Sequence, residues 1–155
     1  MASDPAVPST RVRGIELALT ELRVRGLRAR SGQGRQLNDI TATRPDRTAV
    51  LVRVKTRSRG DWQVSTDDGE ARPERDPARV VLFVDLIPAA PRFFVMPEWE
   101  YKIEVYRDHA DYLRRNPGRR GPNGFKHHKV VTDSVADWRD RWDLITGTDD
   151  PVGPR

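Results

Sequence analysis

The sequence predicts a single α/β domain in which a central mixed β-sheet is flanked by helices. Three observations carry that expectation. Residues 48–56, TAVLVRVKT, alternate so that Val50, Val52 and Val54 point one way and Leu51, Arg53 and Lys55 the other. Residues 79–87, RVVLFVDLI, are almost continuously apolar, as a strand covered on both faces is. Helical spacing of apolar residues occurs ahead of the strands at 14–26 and behind them at 98–115. Helix, several strands, then helices is the order of one layered α/β unit.

The elements follow in chain order. Residues 1–12 hold Ser, Pro and Asp without periodicity and read as a tail, which leaves 13–146 as the domain and 147–155 as a second tail. Ile15, Ala18, Leu19 and Leu22 share one face of the first helix, with Glu16 at its border and Gly26 as the stop. Residues 27–30 predict a short strand, and SGQGRQ a glycine-bearing loop. LNDITAT, 37–43, is a strand with Leu37, Asp39 and Thr41 on one side. RPDR then turns the chain into the strand at 48–56, with proline in a favourable turn position. DWQVS continues as a short strand after the Arg59–Gly60 turn, and 66–78 is a polar loop. RFFVM adds another strand after PAAP. In the helix that follows, Ile103, Tyr106, Ala110 and Leu113 recur at helical spacing; NPGRRGPNGFKHHK breaks it. A last helix is predicted over 134–144, capped by Ser134 and burying Val135, Trp138, Trp142 and Ile145.

Composition narrows the function. A length of 155 residues suits one domain with a real core. No apolar run approaches membrane-spanning length, the start lacks the pattern of a secretory signal, and there is no cysteine. Disulfides, thiolate zinc sites and cysteine nucleophiles are thereby excluded, and a reducing cytoplasm is the expected location. The formal charge of +5 and a pI near 10.1 favour an anionic partner, of which nucleic acid is the commonest. Only 4 of the 28 basic residues are lysine, and arginine is the better bidentate phosphate binder.

The residues most able to carry chemistry lie on the two adjacent strands. Arg53 and Lys55 share a face, and a hairpin of 37–43 with 48–56 puts Asp39 on the neighbouring strand. A carboxylate beside a lysine, joined by a second carboxylate from a nearby helix, is a plausible phosphodiesterase site. The carboxylates would hold Mg²⁺ or Mn²⁺, the metal would lower the pKa of a bound water, and the lysine would orient that water or stabilise the developing charge.

These residues resemble a known family. GIELALTELRVRG, LNDITATRPDRTAVLVRVKTRSRGDWQVS and the later VLFVDLI, FFVMP and WRDRWDLI are similar to the PD-(D/E)XK nuclease superfamily. The likeness is to its small bacterial members related to Holliday-junction resolvases and to restriction-endonuclease-like domains, and it spans residues 14–145. It implies a restriction-endonuclease-like fold and a Mg²⁺-dependent endonuclease hydrolysing DNA. Asp39 and Glu16 would be metal ligands with the backbone carbonyl of Val54, and Lys55 the catalytic lysine. Arg53 departs from the pattern, which has Glu, Asp or Gln at that position. An arginine offers no acceptor, and its fixed charge opposes a divalent cation. Two readings stand. In one, a carboxylate such as Glu70, Asp61 or Asp67 has migrated into the site and activity survives. In the other, Arg53 pairs with Glu16 or Asp39, and the protein is a catalytically degenerate module that binds DNA or a protein, as in a defence or toxin-immunity system.

Further residues fit contact with nucleic acid. The basic run Arg53, Lys55, Arg57 and Arg59 leads to Trp62, which suits backbone contact plus base stacking. Lys126, His127, His128 and Lys129 suit phosphate better than they suit zinc, because adjacent histidines diverge in regular structure. Trp99, Trp138 and Trp142 read as packing residues. The same cations would serve an acidic protein partner, and a homodimer is compatible with a domain of this size. Neither a phosphate-binding glycine loop nor a nucleophile elbow is present.

Overall fold

The computed structural model describes residues 7–117 and 127–148. Helix α1 (Thr10–Val24) begins at Ser9, whose hydroxyl accepts the Val12 amide at 3.2 Å. Strands β1 (Arg28–Ser31), β2 (Asp39–Thr43), β3 (Ala49–Arg57), β5 (Arg79–Asp85) and β6 (Arg92–Pro97) form one sheet in the order β1-β2-β3-β5-β6. Only the β3–β5 pair is parallel, so the sheet is mixed. Strand β4 (Trp62–Ser65) pairs instead with β7 (His127–Val130) in a separate two-stranded sheet. Helix α2 (Glu98–Arg115) follows β6, and two short helices, α3 (Thr132–Val135) and α4 (Asp143–Thr146), close the chain. The protein is thus α/β, with a mixed five-stranded sheet between helices.

The period-two pattern of the strands decides what each face meets. Val50, Val52 and Val54 of β3 lie with Val80, Leu82 and Val84 of β5 beneath Ile15, Ala18 and Leu22 of α1. Helix and sheet approach closely at Gly14, where a Cβ would lie 1.8 Å from the Thr56 hydroxyl. The opposite face buries Val81, Phe83, Phe94 and Met96 against Tyr101 and Val105 of α2 and against Trp62 and Val64 of β4. This second cover is partial. Helix α2 packs on β5 and β6, while Arg28, Arg30, Thr41 and Ala49 stay exposed on the β1–β2–β3 side.

The β2–β3 hairpin forms as expected. Its turn is held by Asp46 Oδ1, which accepts the Thr48 amide at 2.9 Å and the Thr48 hydroxyl at 2.6 Å. Two expectations need correction. The helix predicted over 134–144 is broken into α3, a 3-10 turn over Ala136–Trp138 and α4. The cause is the β6 edge: Asp140, with φ of 54°, donates its amide to the Phe93 carbonyl at 3.0 Å, and Arg139 bridges Phe94. The end of the loop predicted at 116–129 is strand β7, because β4 offers it a free edge. Among the described residues no helix is long and apolar enough to cross a membrane.

Candidate functional site

Strand register places Asp39 directly opposite Arg53, and Lys55 two residues further along β3 on the same face. Arg53 Nε donates to Asp39 Oδ1 at 3.2 Å, with both side chains about 30% exposed, at 31% and 27%. Burial acts to lower the pKa of Arg53. The hydrogen bond and charge of Asp39, with the charges of Glu98 and Asp68 beyond it, outweigh that effect and raise it. The guanidinium is therefore a permanent cation among three carboxylates.

Lys55 turns to a different acid. Its Nζ lies 3.6 Å from Asp68 Oδ2, the oxygen to which Tyr101 of α2 donates its hydroxyl at 2.7 Å. Burial, followed by the hydrogen bond and charge of Asp68, pushes the Tyr101 phenol well above its usual range. Next along α2, Glu98 Oε1 accepts Arg79 Nε at 3.0 Å and stands 3.6 Å from Lys102 Nζ, which also reaches Glu70 at 2.8 Å. Glu98 is 5% exposed, and its Oε2 is buried without a hydrogen-bond partner. Asp39, Arg53, Lys55, Asp68, Glu98 and Tyr101 thus form one charged layer between β3 and α2. Beside it a cleft of about 340 Å³ is lined by Lys55, Arg11, Asn38 and Gln63.

Several of the residues singled out in the sequence come together here, and others do not. Glu16 lies on the exposed side of α1, and that helix packs against the sheet face opposite to Asp39, Arg53 and Lys55. Val54 turns its side chain into the core beneath α1 and donates its amide to the Asn38 carbonyl at 2.8 Å. Of the acids proposed as migrants, Glu70 pairs with Lys102, Asp61 stands 4.0 Å from Arg57, and the Asp67 amide caps on Ser65. Asp68 and Glu98 occupy the layer instead. Sequence reading missed Asp68 because a 3-10 turn over Thr66–Asp68 decides which of two adjacent aspartates faces inward, and Glu98 because its place depends on how α2 packs on the sheet. The TDDG stretch carries no periodicity that would reveal it.

Two proposed nucleic-acid contacts are corrected by burial. Trp62 is 1% exposed and donates its indole N–H to the Val84 carbonyl at 3.1 Å, so its ring cannot receive a base. Arg57 is 6% exposed and stacks on that indole at 3.8 Å. It also grips Asp85 in a two-pronged pair at 3.1 and 2.9 Å and donates to Thr132 at 2.6 Å. His128 Nε2 lies 3.1 Å from Asp108. Arg59 and Lys129 remain exposed. Lys126 lies outside the described residues. Among the described residues no three His, Asp or Glu side chains group in a way that could hold a metal ion.

Comparison with protein-family models, with curated proteins and with solved structures finds no match to this chain.

Proposed function

We propose that the chain is a nucleic-acid-binding module, restriction-endonuclease-like in ancestry, whose nuclease site has been converted into an ion-pair layer. The observation that carries the reading is the Arg53–Asp39 pair. The position where the superfamily pattern has a metal-binding oxygen holds a guanidinium, and that guanidinium consumes the remaining carboxylate of the motif. A divalent cation does not fit these residues. It would meet a fixed positive charge within ion-pair distance of Asp39, and Glu16 is mounted on the other side of the sheet. The formal charge of +5 supports the choice of partner, DNA being the form the resemblance favours.

Two observations favour an active nuclease as the second reading: Asp68 lies beside Lys55, and Glu98 keeps an unpartnered oxygen nearby. The two readings separate in a single experiment. Labelled linear, branched and plasmid DNA are incubated with the protein at low salt, in Mg²⁺, in Mn²⁺ and in EDTA. The module reading expects a mobility shift that EDTA leaves unchanged and no cleavage. Metal-dependent cleavage that disappears in both Lys55→Ala and Asp68→Asn would overturn it in favour of the enzyme. Absence of any shift at low salt, where phosphate-driven affinity is greatest, would refute nucleic acid as the partner.

A further inference from the structure

The five-stranded sheet is covered on its α1 face along most of its width, but on the other face only over β5, β6 and the end of β3. What stays open is a platform built from β1, β2 and the first half of β3. Register lines up its surface. Arg30 lies opposite Thr41, Thr41 opposite Leu51, and Leu51 opposite Arg79; Arg28 lies opposite Thr43, and Thr43 opposite Ala49. Ala29, between the two arginines, points into the core beneath α1, so Arg28 and Arg30 both project from the open face. Three strands at ~4.8 Å spacing make the platform about 10 Å wide, and residues two apart on β1 stand about 7 Å apart.

The surface chemistry of this platform is one-sided. Arg28 and Arg30 are exposed and make no ion pair among the described residues, and Arg53 and Arg79 stand at its inner border. The acid on the same three strands is Asp39, which is already paired. Thr41, Thr43 and Ala49 beside the two β1 cations are small, and Leu51 is the larger side chain before Arg79, so a broad ligand can approach the β1–β2 backbone, with two hydroxyls to donate or accept. Nothing aromatic lies on these strand positions, so there is no stacking platform for unpaired bases.

We infer that this open half of the sheet is where a nucleic-acid duplex docks, through phosphate contacts led by Arg28 and Arg30. The inference rests on the nucleic-acid reading above and adds to it the surface and the duplex form. It also moves binding away from Arg57 and Trp62, which are buried. The competing role for cations on β1 is to guard a sheet edge against pairing with another chain. That role requires charge but no phosphate.

The test compares the wild type with Arg28→Gln/Arg30→Gln, with Arg28→Lys/Arg30→Lys, and with Arg107→Gln/Arg115→Gln on the exposed side of α2. Binding of a 20-base-pair duplex and of a single strand of the same sequence is measured between 50 and 200 mM salt. Each phosphate contact contributes about 0.9 to the slope of log affinity against log salt. The glutamine pair on β1 should therefore flatten the slope by about 1.8, so that over this range the wild type loses ~12-fold more affinity than the variant does. The lysine pair should keep the wild-type slope, the α2 pair should change it little, and the duplex should bind more tightly than the single strand. An unchanged slope in the β1 glutamine pair, with binding intact, overturns the inference and leaves the nucleic-acid reading standing. Self-association of that variant in size-exclusion chromatography with an unchanged slope assigns the arginines to edge protection. A wild type that binds neither strand form at 50 mM salt overturns both.

Discussion

Replacing Asp85 with alanine tests whether Arg57 belongs to the architecture or to a binding surface. The Asp85 carboxylate is fully buried and accepts Arg57 Nε at 3.1 Å, an Arg57 terminal nitrogen at 2.9 Å and an Arg92 terminal nitrogen at 2.6 Å. The Ile87 amide adds a further bond at 3.1 Å. Burial alone would raise this carboxyl's pKa, but the bonds from Arg57 and Arg92 overcome it and hold the pKa at about 2, against an ordinary 3.8. In the alanine variant Arg92, whose side chain is 31% exposed, can turn to water, whereas Arg57, at 5%, cannot. Stranding one buried charge of a pair costs about 3–5 kcal/mol. At this chain length that lowers Tm by roughly 10–15 °C. Replacing both partners, as in Arg57→Met/Asp85→Leu, should recover much of the loss, because an apolar pair of similar volume avoids the desolvation penalty. Urea unfolding of the two single variants and the double variant measures the coupling. The pH limb gives a second check. A depressed carboxyl pKa contributes stability that is present above about pH 4 and is lost as pH falls towards 2, on the order of 2–3 kcal/mol here. The double variant should lack that acid-sensitive component. An Asp85→Ala cost below about 1 kcal/mol, or a double variant as unstable as the sum of the singles, would refute the buried-clamp argument.

Two further outcomes follow from close contacts. Gly14→Ala should destabilise by about 1–3 kcal/mol despite alanine's better helix propensity, because the new methyl meets the Thr56 side chain; thermal melts of Gly14→Ala alone and of Gly14→Ala/Thr56→Ala should show partial rescue. Tyr101 should stay neutral in alkali until the chain unfolds. A raised phenol pKa contributes stability that is complete below the unfolded value near 10 and is lost as pH rises beyond it, and Tyr101→Phe should remove that alkaline loss in a denaturation series monitored by tyrosinate absorbance.

The strand pattern was the most legible part of the sequence. Alternation in 48–56 separated Val50, Val52 and Val54 from Arg53 and Lys55, and the apolar run at 79–87 marked the strand that lies between two cores. Local periodicity records which face a residue takes, so it could also bring Asp39 to Arg53 once a hairpin was assumed. It could not bring Asp68 or Glu98. The first depends on where a single 3-10 turn falls, and the second on where α2 crosses β5 and β6. The reverse error concerns Arg57 and Trp62. Both sit in a basic, polar-looking run, yet Trp62 packs on Phe83 and Phe94, and Arg57 is held by Asp85 and Thr132, contacts made by strands and a helix distant in sequence. The broken last helix has the same origin, since Asp140 and Arg139 answer to the edge of β6 and not to the 3.6-residue period around them.

Arg53 and Lys55 have separate consequences although they lie on one strand face. Had both cations pointed into solvent, the strand would simply display charge, and the carboxylates around it would be free to hold something else. Arg53 is spent on Asp39, and Lys55 shares Asp68 with Tyr101. Each pair is partly exposed, so its worth to folding is small, on the order of 0–1 kcal/mol once solvent screening is counted. These two ion pairs of the layer therefore add little to the stability of the fold on their own. The effect of the layer is to fix the side chains at the border of the open sheet, while Arg28 and Arg30 make no ion pair among the described residues. The layer neutralises the inner end of that surface and leaves the outer end positive. That gradient, more than the total charge, would set the side from which a polyanion approaches.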